Sequence, residues 1–256
     1  MVRSIRTTLS SLLILLWTSV VFAAGPTVRV ATNKDGTGGG STSLAFNAFV
    51  SDPVTGDTIV VMQTTAGTGT GGTAQAPTDT AGNTYSQIGT DQCGTWNSST
   101  CISMWYAWNI TGGSSFVITT HWSASPTWYG QIAWVLTGTK TTGTPYNGDF
   151  VKGADSAVSA SSLTTSVAPS ANSLAVGGIS SNCGSNTVVN GAGWTTPALG
   201  SVTSNSNQDL YGEYNTVSGT YTADWTSGSC SHIMLTASFG PPAAASSFPA
   251  MVGIIP

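Results

Sequence analysis

Ten carboxylates and two histidines are the side chains of this 256-residue chain that most readily exchange protons near neutral pH. Glycoside hydrolysis needs two carboxylates flanking one bond, one of them able to stay protonated. Only one of the ten is a glutamate, Glu213, set in the strand-like segment YGEYN, while Asp35, Asp52, Asp57, Asp79 and Asp91 stand in turn-forming contexts. Glu213 is therefore the one catalytic candidate, and its competing reading is a solvent-facing strand position. A serine hydrolase has less support: there is no Gly-x-Ser-x-Gly elbow, and the chain lacks the strand-to-helix turn that holds one. His121 and His232 each sit beside apolar neighbours, and a triad with Asp224 or Asp149 has no specificity among so many serines. Two histidines and four cysteines leave no zinc set at a recognisable spacing. Hard oxygen ligands for calcium gather at Asn33-Lys34-Asp35-Gly36 and at Asp79-Thr80-Ala81-Gly82-Asn83, but neither stretch follows the twelve-residue calcium loop, and turn formation accounts for both. The reading leans away from catalysis and calls for no cofactor, with calcium at Asp79 and Asn83 as the weak exception.

The aromatic residues offer a better physical basis for function. Trp96 lies in the short loop CGTWNSSTC and Trp128-Tyr129 in the turn-like SASPTWYG. Large rings on loops are how proteins stack on sugar faces or grip an apolar surface. The alternative is that these rings fold back as lids over the ends of the core. Trp108, Trp122, Trp194 and Trp225 recur at paired positions and read as core.

The N-terminus says where such a surface would work. Arg3 and Arg6, an apolar run over residues 12–22 and the small-residue site Val21-Phe22-Ala23 make residues 1–23 a signal peptide. The run falls short of the ~20 residues that span a bilayer, so the expected mature protein is secreted, extracellular or at the cell surface, with no membrane insertion after cleavage. An oxidising compartment turns the four cysteines into disulfide candidates. Cys93 and Cys101 form the simplest local bridge, leaving Cys183 and Cys230. A net charge of −4 with no basic run argues against nucleic acid as a partner and against attraction to an anionic membrane.

Few residues are charged, Gly, Thr and Ser abound, and no helical pattern follows the leader, so the mature chain is expected to be all-β. Strand patterns fall at residues 27–32, 43–50, 56–63, 83–89 and 131–136, with a turn over 33–42 and a long loop over 64–79. Residues 102–122 read as an aromatic hairpin turning on Gly112 and Gly113. Alternation sends Met104, Tyr106 and Trp108 to one face and Trp105 and Ala107 to the other. A degraded copy runs over residues 209–225, with Trp108-Asn109 matching Tyr214-Asn215 and Gly113 matching Gly219. Residues 172–176 parallel 57–61, Gly193-Trp194 stands for Asn83 to Tyr85, and residues 232–239 stand for 131–136. The expected fold is one antiparallel β-sandwich over residues 24–240, jelly-roll-like, built of two pseudo-repeated halves (about 27–139 and 171–240). Residues 140–170 connect the halves and 241–256 form a C-terminal tail.

Three motifs recur together: Gly56-Asp57 before an apolar strand; Asp79 with Gly82-Asn83 and Tyr85; and Trp105-Tyr106-Ala107 with Asn109, Gly112 and Gly113. In this set the chain resembles a group of secreted bacterial proteins, mostly uncharacterised, with the same motifs in the same order. The resemblance implies a bacterial extracellular β-sandwich and brings no activity with it. Ala133-Trp134-Val135 stands where that group usually carries an acidic residue. The functional expectation is a non-catalytic binding protein recognising a glycan or cell-surface polymer through Trp96, Trp128 and Tyr129. The alternatives are a self-associating structural or adhesive surface protein, for which Thr-rich strand edges are suited, and an extracellular, glycosidase-like hydrolase using Glu213.

Overall fold

The β-branched run that follows Gly56-Asp57 becomes the central strand of the molecule, covered on both faces as its unbroken apolar sequence requires. A computed structural model describes residues 24–37, 41–66, 72–94, 100–155, 162–167, 172–181, 193–198, 201–204, 208–216, 221–226 and 232–243. The first half holds β1 (Thr27–Thr37), β2 (Ser43–Ala45), β3 (Thr58–Ala66), β4 (Ala74–Asp79), β5 (Ser86–Cys93), β6 (Cys101–Ala107), β7 (Ile118–Trp122) and β8 (Trp128–Thr137). The second holds β9 (Val151–Asp155), β10 (Ser162–Val167), β11 (Leu174–Ser181), β12 (Ser201–Ser204), β13 (Gln208–Asn215), β14 (Tyr221–Thr226) and β15 (His232–Phe239). Every pairing is antiparallel, and the all-β expectation holds throughout the described residues.

The strands form four sheets, ordered β1-β8-β3-β6-β5, β2-β7-β4, β9-β15-β11-β13-β12 and β10-β14. The two five-stranded sheets have the same order once equivalent strands are matched. Sequence position carries through as well: Ser86 pairs with Tyr106 just after the buried Tyr85, and Thr195 pairs with Tyr214 just after the buried Trp194. Tyr214 is thus the counterpart of Tyr106, not of Trp108, and the sequence alignment of the copies shifts by two residues.

The sheets stack in layers. One face of the first five-stranded sheet and the facing side of the second share a core of Val60, Met62, Ile102, Met104, Ile132, Trp134 and Leu136 with Leu174, Val176, Leu210, Ile233, Leu235 and Phe239. Its other face packs Ile59, Val61, Trp105, Ala133 and Val135 against Phe46, Phe49, Phe116 and Ile118. In the second half β10 lies against β9 and β15, and β14 against β11. β3 crosses over β11 at a pseudo-twofold axis where equivalent residues meet: the hydroxyls of Thr64 and Ser180 lie 2.9 Å apart. Beside them Gly178, the counterpart of Met62, leaves room for its thioether; a Cβ at Gly178 would stand 1.9 Å from Met62 Sδ.

The expected hairpin does not form. β6 pairs with β3 and β5, whereas β7 pairs with β2 and β4 in the other sheet. Both faces of β6 are buried, one against the second half and the other against the layer that holds β7, so β7 covers a face of β6 instead of pairing with its edge. The copy divides in the same way, β13 joining β11 and β12 while β14 joins β10. Other boundaries also move. β1 runs on through the expected turn to Thr37, because β8 gives it a partner as far as Trp128. β4 lies in the expected loop over 64–79, and β9 and β10 lie in the expected connection over 140–170. Only Ser43–Ala45 of the segment over 43–50 is strand, with Phe46 and Phe49 anchoring the rest in the core.

Candidate functional site

The loops at one end of the first half are tied together by carboxylates. Asp79 Oδ1 accepts from the backbone N–H of Ala81 (2.9 Å) and Asn83 (3.1 Å), while Oδ2 accepts from Asn83 Nδ2 (3.0 Å) and the Tyr85 hydroxyl (2.9 Å). That Asx-type turn fits Asp at its first position and Gly82 at positive φ, 77°. Burial first, and then the neighbouring Asp79 charge, push the Tyr85 phenol well above its ordinary pKa. Asn83 also spans to the next loop, accepting from Thr111 N–H (2.8 Å) and donating to its carbonyl (3.1 Å). Asp52 accepts from the N–H groups of Ser115 and Phe116 (3.0 and 3.1 Å). The buried Asp57 accepts from Val54 N–H (2.9 Å) and forms an ion pair with Arg29 at 3.4 Å.

Trp108 sits on this frame, one residue past the end of β6. Its ring stacks on Tyr106 with centroids 5.3 Å apart and planes 23° from parallel. It is half-buried and, with Asn83, Thr84 and Ser86, lines an open recess of about 180 Å³. A wider, shallow groove of about 460 Å³ is lined by Asp52-Pro53-Val54-Thr55 and Gly112-Gly113-Ser114, where these two loops meet. No lysine or arginine lines either one.

The residues expected to bind are placed differently. Trp128 and Tyr129 are 5% and 6% exposed, because they belong to β8, a strand flanked by β1 and β3. Alternation sends Trp128 into the core shared by the halves and Tyr129 onto Trp122, 4.9 Å between centroids. Their expected exposure in a turn is thereby corrected. Trp96 lies outside the described residues, as do Cys183 and Cys230. Cys93 and Cys101 do form a disulfide, tying β5 to β6 across a register pair. Trp122 and Trp194 are core as expected, and the side chain of Trp225 lies outside the described residues. Trp108, expected in the core, is at its rim; the signal for that was its place as the last ring before Asn109, which turns the chain at φ 46°.

Glu213 is 1% exposed on β13, not solvent-facing, and across the sheet it aligns with Gly177 and Thr236. A general acid so enclosed has no room for a glycoside beside it. His121 Nε2 lies 2.9 Å from Thr78 Oγ1 and Asp149 accepts from the N–H and hydroxyl of Ser238, so these two do not pair with each other, and the side chain of Asp224 lies outside the described residues. At the calcium candidates, the Asp79 oxygens already accept four hydrogen bonds, which is the arrangement of a turn lock. Among the described residues no group of three or more His, Cys, Asp or Glu could hold a metal ion, and no helix is long and apolar enough to cross a membrane. Comparison with family models, with curated proteins and with solved structures finds no match to the chain.

Proposed function

We propose that this is a secreted, non-catalytic β-sandwich protein that recognises a glycan or other cell-surface polymer, with Trp108 as its contact ring. One observation carries the reading: a half-buried indole, backed by Tyr106, borders a recess whose other walls are Asn83, Thr84 and Ser86. An apolar ring face beside the hydroxyls of Thr84 and Ser86 complements a sugar, whose C–H face and hydroxyl rim need both. The frame is rigid, since Asn83 and Asp79 are fully engaged in the turn, and little ordering cost attends binding. Export is supported by the leader over residues 1–23, by the resemblance to secreted bacterial proteins and by the Cys93–Cys101 bridge. The test is retention of the mature protein on a panel of insoluble and arrayed glycans. Trp108→Ala should abolish retention with the fold intact by circular dichroism, and Trp128→Phe should leave it unchanged. Retention unaffected by Trp108→Ala would remove this ring as the site.

A further inference from the structure

The recess at Trp108 is too small to hold a ligand alone. At about 180 Å³ it falls below the ~300–1,000 Å³ of pockets that enclose a small molecule. The depression over residues 52–55 and 112–114 is larger, about 460 Å³, and opens broadly to solvent. The Asn83–Thr111 bridge ties their loops together, and residues 108–114 run from the lining of one to the lining of the other. We propose that they form one extended site that holds consecutive units of a linear, uncharged polysaccharide. This rests on the glycan reading given above.

The floor of this groove is fixed where its two loops join. Gly113 N–H donates to Pro53 O (3.2 Å) and Gly112 N–H to Thr55 Oγ1 (3.2 Å), while Asp52 grips the chain at Ser115 and Phe116. Gly112 lies so close to the opposite loop that a Cβ would come within 2.4 Å of Pro53 O. Val54, 46% exposed, supplies an apolar wall, and Thr55, Gly113 and Ser114 supply hydroxyl and backbone edges. That alternation of apolar and polar surface repeats what Trp108 offers with Thr84 and Ser86, as a polymer of like units requires. Charge selects the class. Asp52 lines the groove, Asp57 and Asp79 brace its loops, no lysine or arginine lines either part, and Arg29 is held by Asp57. Uronate, sulfate or phosphate groups along the chain would meet carboxylates and no counter-ion.

The experiment uses the mature full-length protein and calorimetric titration with cello-, chito-, xylo- and manno-oligosaccharides, each as disaccharide and hexasaccharide, and with polygalacturonate. For at least one neutral series the hexasaccharide should bind at least about tenfold more tightly than the disaccharide. Val54→Asp should remove that length dependence while disaccharide binding remains. Val50→Asp, at a residue 84% exposed and outside the groove lining, should leave it unchanged. Equal affinity for short and long chains, unaltered length dependence in Val54→Asp, or preference for polygalacturonate would overturn the extended neutral site; binding that still required Trp108 would leave the glycan reading standing. Absence of binding to every probe, with Trp108→Ala indistinguishable from the parent, would overturn both.

Discussion

At one level of the first half Trp105, Val61 and Ala133 lie side by side across β6, β3 and β8; at the equivalent level of the second, Glu213, Gly177 and Thr236 lie across β13, β11 and β15. The next level contrasts Ala107, Ile59 and Val135 with Asn215, Ala175 and Ser238. All twelve residues are buried. The faces that the two sheets turn toward each other show no such divergence: Val60 faces its counterpart's role in Val176, Ile102 in Leu210 and Leu136 in Phe239, apolar on both sides. Strand order therefore survives a change from aromatic to carboxylate inside one sandwich, while the layer shared by both halves stays apolar apart from the paired hydroxyls of Thr64 and Ser180. The polar layer needs hydrogen bonds that the apolar one does not. Ser238 has them, receiving Asn147 Nδ2 at 2.7 Å and donating to Asp149, and neither Glu213, Asn215 nor Thr236 is without a partner.

Three measurements sharpen or break this contrast. The largest effect belongs to the apolar row: Trp105→Ala should lower unfolding free energy by about 3–5 kcal/mol, whereas Glu213→Gln, which keeps the shape and most of the hydrogen-bonding capacity, should lower it by about 1 kcal/mol. Urea denaturation reads both, and equal losses would mean that the two rows do the same structural work. Next comes the pseudo-twofold axis, where Met62 occupies the space that Gly178 leaves. Gly178→Leu should cost about 1–3 kcal/mol by overpacking, and Met62→Ala in the same chain should restore part of it. Additive losses in the double variant would show that these counterparts do not compete for one space.

The smallest effect is a pH dependence at one position of the first half that its counterpart lacks, since Tyr85 can ionise and Trp194 cannot. The Tyr85 phenol is held protonated in the folded chain, while the unfolded chain releases that proton near the ordinary value of 10.0. Above that pH the unfolded state binds fewer protons than the folded state, so stability falls as pH rises. The urea midpoint should decline above pH 10, and Tyr85→Phe, though less stable at neutral pH, should show a shallower decline. An unchanged slope in that variant would assign the alkaline sensitivity to other tyrosines.

Much of the fold could be read from patterns local in the chain. The β-branched run of β3, the turn Asp79-Thr80-Ala81-Gly82-Asn83 and the bridge between Cys93 and Cys101 appear where periodicity, turn chemistry and spacing placed them. The recurrence of the segments also led to the two-half architecture, though by a match two residues out of register. The site was less legible. Trp128-Tyr129 follows Ser-Pro-Thr, a composition shared by loops and strand entries, and burial of those rings depends on β1 and β3 arriving on either side. The role of Trp108 was hidden for the converse reason: its alternation matches Tyr106, but the sheet ends before it.

Sequence alone determined the all-β class, the local turns and the repetition, because these follow from side-chain periodicity, glycine and aspartate turn chemistry, and composition. Only the tertiary structure decided that the aromatic segment over residues 102–122 divides between two sheets, that Glu213 is enclosed and that Trp108 is accessible. The physical reason is that exposure is set by which strands become neighbours. Those neighbours, β3 for β6 and β2 for β7, lie dozens of residues away in the chain and leave no mark on the local pattern.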